Sequence, residues 1–273
     1  MRAESCFPPS FFMFELTKLG EVTIVNTVWE SLKQFLFELK DEFILCFVKE
    51  QRWRFIISGL GNTLVITFFA VLIGIALGVL IAIVRSSHDK ICAEMRPGLA
   101  KSLLKFGNWI CNVYLTVIRG TPAVVQLMIM YYIIFASSRN SMLVAILSFG
   151  INSGAYVAEI VRSGIMSIDA GQFEAGRSLG FDYKSTIWYI IIPQAFKNVL
   201  PALANEFIVL LKETSVAGYV TIRDLTMGGN IIRAATYSAF MPLIAVALIY
   251  LIMVIFFTKL VSILERKLRN SER

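Results

Sequence analysis

The sequence predicts an all-α integral membrane protein, and three observations support this fold class. The chain of 273 residues is 57% hydrophobic and only 16% charged, which lies outside the usual range of soluble domains. Its apolar residues form blocks as long as a bilayer requires, since a hydrocarbon core of about 30 Å needs roughly 20 helical residues. The charged residues collect between these blocks.

Five segments reach or approach the length of a transmembrane helix. They lie at about 56–84, 109–136, 142–161, 187–211 and 241–260. Two are interrupted, by Gly-Thr-Pro at 120–122 and by Pro201, and we expect both breaks to be tolerated within a helix because neighbouring helices can satisfy the freed carbonyl groups. The first segment contains Gly74-Ile-Ala-Leu-Gly78 and the third opens with Gly150-Ile-Asn-Ser-Gly154, spacings that allow close helix packing.

Basic residues predict the orientation in the bilayer. Segment 85–108 contains five basic and two acidic residues, and the tail from Lys259 onward has the same balance. The first 55 residues carry seven basic and eight acidic groups. We therefore expect a multi-pass protein of the cell membrane, with its N-terminus outside and its C-terminus in the cytoplasm. The net charge of +7 mostly reflects this topology, and no basic face with base-stacking aromatics indicates nucleic-acid binding.

Residues 1–55 precede the first span, the membrane domain follows over 56–268, and 269–273 form a short tail. This extension is predicted to contain an amphipathic helix at the outer membrane interface. A helix packed against the bundle is an equal alternative, and a sixth span is disfavoured by Asp41 and Glu42. The apolar residues that recur at helical spacing are Trp29, Leu32, Phe35, Leu36, Leu39, Phe43 and Phe47.

Cysteine and histidine do not suggest a metal site. Cys6, Cys46, Cys92 and Cys111 are scattered without Cys-x-x-Cys spacing, so neither a metal centre nor a structural disulfide is expected. His88 lies in a charged loop, where it is expected to be solvated.

The polar gap at 162–186, between the third and fourth spans, holds the most specific signal. Asp169 is placed to cap a short helix over about 170–179, and Gly180 is placed to end it. Asp182 is placed to cap the next helix. Small residues keep the short helix thin enough to enter a partner's groove, which favours docking over a merely solvated loop. These small residues are Gly171, Ala175 and Gly176.

The same gap contains the string from Phe173 to Gly180, then nine residues, then Ile-Ile-Ile-Pro. It resembles the docking loop of ABC-importer permeases, whose pattern is Glu-Ala-Ala, three residues, Gly, nine residues and Ile-x-Leu-Pro. The chain departs from this pattern at Gly176 and Ile192. The five matching positions are Glu174, Ala175, Gly180, Ile190 and Pro193.

Further strings resemble the polar amino-acid permeases of the ABC superfamily, those of histidine, arginine and glutamine systems. The likeness covers roughly residues 58–268, and it departs in the N-terminal extension, the enlarged 85–108 loop and a short loop at 137–141. The matching strings are Gly59-Leu-Gly-Asn-Thr63, Ile118-Arg-Gly-Thr-Pro-Ala-Val-Val-Gln126, Asn152-Ser-Gly-Ala-Tyr-Val-Ala-Glu159, Leu200-Pro-Ala-Leu-Ala-Asn-Glu-Phe-Ile208 and Leu211-Lys-Glu-Thr-Ser-Val216.

The resemblance implies a type I importer permease with five core transmembrane helices. Two permease subunits would form one transporter, two ABC ATP-binding subunits would dock in the cytoplasm, and an extracytoplasmic binding protein would deliver an amino acid. The sequence has no Gly-x-x-x-x-Gly-Lys-Ser/Thr phosphate loop. The chain is therefore expected to be no enzyme and to bind no cofactor, with ATP and Mg used by the partner ATPase. The predicted ATPase contacts are Glu174, Ala175, Gly176, Gly180, Ile190 and Pro193.

Ionisable residues within the predicted spans are rare and by default suggest function. Arg119 precedes the Gly-Thr-Pro break, so it either contacts substrate or hydrogen-bonds the carbonyl groups freed by Pro122. Glu159 lies near Arg162, and a structural ion pair is the preferred interpretation there. Glu206 lies deep in the fourth span, where it is placed to face an internal cavity and the ammonium group of a substrate.

The third span adds polar candidates on one helical face, at spacings of three and four residues. They either line the substrate pathway or hydrogen-bond a neighbouring helix. The complete set of candidate pathway residues is Arg119, Thr121, Asn152, Ser153, Tyr156 and Glu206.

These observations predict the membrane permease subunit of an ATP-driven amino-acid importer. The alternative is an ion-coupled secondary amino-acid transporter, which predicts inverted repeats and midplane carboxylates. No internal repeat is evident in the sequence. An ion channel would require a selectivity-filter sequence, and none is evident. Substrate specificity is expected to depend largely on the separate binding protein.

Overall fold

The computed structural model describes residues 30–31, 33–92 and 95–270, and this part of the chain is helical with no strand. Helix α1 covers 33–43 and continues into a turn of π-helix at Ile44–Val48. The predicted interfacial residues Trp29 and Leu32, like Cys6, lie outside the described residues. The remaining helices are α2 Trp53–Ile91, α3 Leu99–Gly120, α4 Ala123–Ile129, α5 Ser141–Met166, α6 Ala170–Ser178, α7 Tyr183–Thr186, α8 Ile192–Glu213, α9 Leu225–Thr236 and α10 Phe240–Asn270.

Shorter helical turns connect several of these helices. A 3-10 turn at Lys49–Gln51 precedes α2, and π-helical turns at Met130–Ile134 and Ile187–Ile191 follow α4 and α7. A longer 3-10 segment, Thr214–Val220, follows α8.

Four stretches of the described chain are long and apolar enough to cross a membrane. They are Trp53–Asp89, Ser141–Met166, Lys184–Val220 and Phe240–Leu268. A fifth crossing requires Leu99–Gly120 and Ala123–Ile134 to act as one span, and these are bent by 110°. The structure thus has the all-α architecture expected from the sequence, and it reaches the five predicted spans if the bent pair counts as one span.

The bend corrects the expectation that the Gly-Thr-Pro break is tolerated within a helix. Thr121 is extended, with φ −124° and ψ 146°, as the residue before a proline prefers. Pro122 is also extended, at ψ 137°, so α3 ends before it and α4 begins after it. Pro201, in contrast, lies inside α8 without ending the helix.

Helices α2 and α5 form the central seam of the bundle, and the two glycine motifs face each other across it. A Cβ atom built on Gly74 would lie 2.8 Å from Ser153 Oγ, and one on Gly78 would lie 2.5 Å from Val157 Cγ1. In the opposite direction, a Cβ atom on Gly150 would lie 2.8 Å from Ile73. The residue numbers of both helices increase in the same direction along the seam, so the two helices run parallel. The predicted close packing is therefore confirmed.

The other spans pack around this seam and define two ends of the bundle. Helix α8 runs antiparallel to α5, with Val199 against Gly164 at one end of the contact. One end of the bundle contains α6, together with the C-terminal ends of α2 and α5 and the start of α8. We call it the α6 end. The start of α2 lies at the opposite α9 end, where the Asp224 carbonyl oxygen would be 2.5 Å from a Cβ atom on Gly59.

Helix α1 packs on the bundle only near its C-terminal end. Glu42 accepts a hydrogen bond from Ser238 Oγ, and Cys46 Sγ lies 3.7 Å from Thr236 Oγ1. Phe47 joins a buried apolar cluster of the α9 end. The apolar side chains of 33–43 remain largely exposed, so the amphipathic extension both packs at its end and presents apolar surface. Cys46, Cys92 and Cys111 are buried and free.

Candidate functional site

Helix α6 is an exposed element held in a defined geometry at the α6 end. Asp169 Oδ1 accepts a hydrogen bond from the Gly171 amide at 2.6 Å, as expected for its N-cap. The helix ends at Ser178, and Gly180 follows with a φ of +81°, in the left-handed region that glycine adopts without strain. The Phe181 amide then donates to the Gly176 carbonyl at 3.1 Å, which closes the turn.

A second cap fixes the start of the next helix. Asp182 Oδ1 accepts from the Ser185 amide at 3.0 Å. Hydrogen bonds from the side chain and the amide of Ser185 hold the pKa of the Asp182 carboxyl below its ordinary value. The predicted pair of capped helices is therefore present.

The predicted docking residues divide into surface and interior positions. Glu174, Ala175 and Pro193 are exposed. Gly176 is buried, and a Cβ atom there would lie 2.7 Å from Thr186 Cγ2 and 3.1 Å from Ile190 Cδ1. Gly176 therefore lies on the inner face of α6, where the missing side chain lets α6 contact the following turn. A Cβ atom at this position would require α6 or Thr186 to shift.

Sequence reasoning missed an exposed apolar surface beside α6. Leu179 is 75% exposed, and Trp188 and Tyr189 are exposed by about two-thirds. Phe181 lies near Tyr189, with ring centroids 6.5 Å apart. Leu179 and Phe181, apolar residues inside the otherwise polar gap, were the available signal for this surface, whereas Trp188 and Tyr189 fell within the predicted fourth span. We call these four residues the α6 apolar patch.

The break between α3 and α4 is stabilised by a glutamine. Because Pro122 has no amide hydrogen, the Ile118 carbonyl loses its helical partner. Gln126 Nε2 lies 2.7 Å from that carbonyl oxygen and 2.7 Å from Thr121 Oγ1. Gln126, and not Arg119, therefore binds the carbonyl group freed by Pro122. The position of Gln126 in the sequence did not predict this contact.

Two of the predicted polar residues form hydrogen bonds between helices. Asn152 Nδ2 donates to Gln126 Oε1 at 2.9 Å, which ties α5 to α4. Ser153 Oγ donates to Glu206 Oε1 at 2.8 Å, which ties α5 to α8. Glu206 is only 7% exposed, so its carboxyl group lies inside the bundle. Asn152 and Ser153 thus make the interhelical hydrogen bonds that were one of the two interpretations of this face, while their place in a substrate pathway stays a prediction.

Towards the α6 end, Glu159 lies between two arginines. Its Oε1 atom forms an ion pair with Arg85 and lies 3.8 Å from Arg119 Nη1. The predicted partner Arg162 instead pairs with Asp89 at 2.9 Å. The ion pair expected for Glu159 is therefore present, but the partner assignment was wrong because α2 contributes the nearer guanidinium.

The polar residues of α5 continue as a stripe along one face of the helix. We call this set the α5 stripe. Its members follow one another at intervals of three or four residues, as one helical face requires: Asn152, Tyr156, Glu159, Ser163 and Ser167.

Two open cavities flank Glu159, which lines both. The first has a volume of about 380 Å³ and lies against α2 and α3. Its lining residues are Arg85, Asn112, Leu115, Thr116, Arg119, Gly120 and Glu159. The second has a volume of about 620 Å³ and lies between α5 and α8. It is lined by Glu159, Ile160, Ser163, Gly164, Ser167, Asn198 and Ala202.

Comparison with known proteins gives one family match and several relatives of similar sequence. The family described as binding-protein-dependent transport system inner membrane component matches residues 98–270. The chain is 36% identical over 221 residues to the arginine transport system permease protein ArtQ of Bacillus subtilis (strain 168), a match covering 80% of this chain and 94% of that protein. It is 39% identical over 172 residues to the glutamine transport system permease protein GlnP of Escherichia coli (strain K12), covering 60% and 78% of the two chains.

A solved structure resembles this chain both in fold and in sequence. The crystal structure of an amino acid ABC transporter with histidines contains a chain 41% identical to this one, with a TM-score of 0.69. The match covers 78% of this chain and 94% of the other.

Proposed function

We propose a role for this chain from its family: the chain belongs to the inner membrane components of binding-protein-dependent transport systems. It is a permease component of an amino-acid ABC importer. Within that importer it forms part of the translocation pathway and couples substrate movement to a separate ATPase. The α6 end is cytoplasmic, the N-terminus is outside and the C-terminus is in the cytoplasm.

The polar lining along α5 carries the pathway proposal. Polar and ionisable groups inside a membrane protein are costly, and they occur where they face a pathway or one another. The α5 stripe runs from the buried Asn152 to Ser167 at the α6 end and borders both cavities. Helix α3 adds Asn112, Thr116 and Arg119 to the same lining. A substrate with charged ends thus meets polar groups along the cytoplasmic half of the bundle.

Coupling is assigned to α6 and the α6 apolar patch. Both are exposed at the end of the bundle where α5 ends and α8 begins, the two helices that border the larger cavity. Gln194 Nε2 lies 3.2 Å from Gln172 Oε1, and Asn198 Nδ2 donates to Ser167 Oγ at 3.0 Å. These contacts connect α6 and the end of α5 to α8. A displacement of α6 by the ATPase therefore moves the helices that line the cavities.

The assembly contains further chains. An ABC ATP-binding subunit uses ATP and Mg, a second permease subunit completes the pathway, and an extracytoplasmic binding protein delivers the amino acid. ATP and the loaded binding protein shift the bundle between its two states because each binds one state more tightly.

Cysteine accessibility tests the pathway. In a background whose native cysteines are replaced by serine, Ser163→Cys and Ala202→Cys are exposed to a charged, membrane-impermeant thiol reagent from the cytoplasmic side. Both should react, and ATP should change the rate. Ile252→Cys is the control, since Ile252 is 65% exposed on the membrane-spanning α10 and should face lipid. Equal reactivity at all three positions, or rates indifferent to ATP, would contradict the assignment.

A further inference from the structure

We propose that Arg85, Glu159 and Arg119 form a binding site for the carboxylate group of the transported amino acid, near the cytoplasmic exit of the pathway. This proposal rests on the function proposed above. It gives Arg119 the task of receiving the carboxylate, while Arg85 holds Glu159.

The site has one positive charge in excess. Two guanidinium groups face the single carboxylate of Glu159, and they are not equivalent. Arg85 makes the shorter contact with Glu159 Oε1, and its side chain is only 16% exposed. Arg119 lies 3.8 Å from the same oxygen, at the limit of an ion pair, and its side chain is 48% exposed. Arg119 therefore retains accessible N–H donors.

The other neighbours of Arg119 leave those donors available. The carbonyl group freed by Pro122 is bound by Gln126 at 2.7 Å, so it does not need the guanidinium. The Tyr156 ring lies 5.9 Å from Arg119 Cζ. A ring face at this distance orients the guanidinium plane and attracts its charge without occupying an N–H in a hydrogen bond.

The adjoining cavity suits a small zwitterion. Its volume of about 380 Å³ lies within the usual range for small-molecule sites. Guanidinium recognises carboxylate through two parallel hydrogen bonds, which gives directional as well as electrostatic selectivity. A carboxylate bound to Arg119 leaves the Arg85–Glu159 pair intact. The Asn112 and Thr116 side chains, on the same face of α3, are placed to meet the remaining polar groups of the ligand.

The position of Glu159 makes this a transient site. The carboxylate that competes for Arg119 also borders the second cavity, which lies closer to the α6 end. Return of Glu159 towards Arg119 would displace the bound carboxylate in the direction of the cytoplasm. The weak 3.8 Å contact is thus a built-in competitor that keeps the substrate from being held too tightly.

Binding selectivity tests the site in the transporter purified with its partner subunits and placed in nanodiscs. The probes are L-glutamine and its amide, L-glutaminamide, which lacks the free carboxylate. The wild-type complex should bind glutamine about tenfold or more tightly than the amide, because a charge-assisted bidentate pair is lost with the amide. Arg119→Gln should abolish this preference. Arg119→Lys should give an intermediate preference, since lysine keeps the charge without the fork geometry.

Two further variants separate this role from a structural one. Glu159→Gln removes the competitor and should tighten glutamine binding, whereas loss of a purely structural ion pair would weaken it. Arg139→Gln, an exposed arginine distant from the cavity in the α4–α5 connection, should leave the preference unchanged. The site is overturned if ATP-driven glutamine uptake occurs and Arg119→Gln retains the wild-type preference. Absence of ATP-driven uptake of any amino acid would instead refute the proposed function.

Discussion

Gly180 offers a way to separate backbone conformation from direct contact in the proposed docking loop. Its φ is +81°, and a Cβ atom built there meets nothing within 4 Å. A side chain is therefore excluded by conformation and not by space within this chain. The left-handed region costs an L-residue about 1–2 kcal/mol. That energy corresponds to a reduction of about 5- to 30-fold in the population of the closed turn.

Three substitutions exploit this distinction. Asparagine adopts the left-handed region several times more readily than most residues, alanine adopts it poorly, and valine is a genuine outlier there. If conformation decides coupling, Gly180→Asn should retain most activity, Gly180→Ala should lose more and Gly180→Val should lose most. Gly180→Arg should also uncouple the transporter while the spans remain inserted. The assay measures the ATPase subunit that co-purifies with the tagged chain and the ATP-dependent uptake per transporter.

The order of asparagine and alanine decides the result. Asparagine is the larger residue, so direct contact between position 180 and the ATPase would make Gly180→Asn worse than Gly180→Ala. That order would refute the conformational argument and indicate a tight interface instead. Wild-type coupling in both Gly180→Val and Gly180→Arg would refute the assignment of α6 as the docking element.

Three further predictions follow from the described contacts. Gly78→Leu should destabilise the α2–α5 seam by about 1–3 kcal/mol through overpacking against Val157. The loss is measured as a lower melting temperature by fluorescence size-exclusion chromatography. Gly61→Ala is the control and should change little, because nothing lies within 4 Å of a Cβ atom there. Gln126→Leu should cost about 1 kcal/mol by leaving the partly buried Ile118 carbonyl without its hydrogen bond, and an unchanged melting temperature would contradict this. The cap at Asp182 has a folded pKa below its unfolded value, so its stabilisation is present above about pH 4 and is lost as the pH falls through the folded pKa. Amide exchange at 183–186, corrected for intrinsic rates, should therefore become less protected in acid, and Asp182→Asn should remove that pH dependence.

Local signals in the sequence were sufficient for the unbroken spans and for the turn around α6, but they did not predict α9 (Leu225–Thr236). Asp169 and Gly180 act through neighbouring backbone, so a cap and a left-handed turn are predictable from residue type and position. The glycine motifs likewise predicted close packing, because small residues at a spacing of four have the same effect in any pair of membrane helices.

The partners of the buried charges could not be predicted in this way. Glu159 pairs with Arg85, 74 positions earlier, and this contact depends on the register between α2 and α5. Arg162 lies only three positions after Glu159, but its guanidinium group pairs with Asp89 instead. The 110° bend was also underestimated, because two successive extended residues redirect α4 away from the axis of α3. Such features depend on tertiary packing and on the sum of several backbone angles.

Reconstituted uptake tests the central claim most directly. The complex purified through a tag on this chain is placed in proteoliposomes with the binding protein outside, and uptake of labelled arginine, glutamine, histidine and cystine is measured with ATP and Mg inside. We predict uptake of at least one of these amino acids that requires ATP and persists when proton and sodium gradients are collapsed. Uptake driven by an ion gradient without ATP would contradict the account and establish a secondary transporter instead.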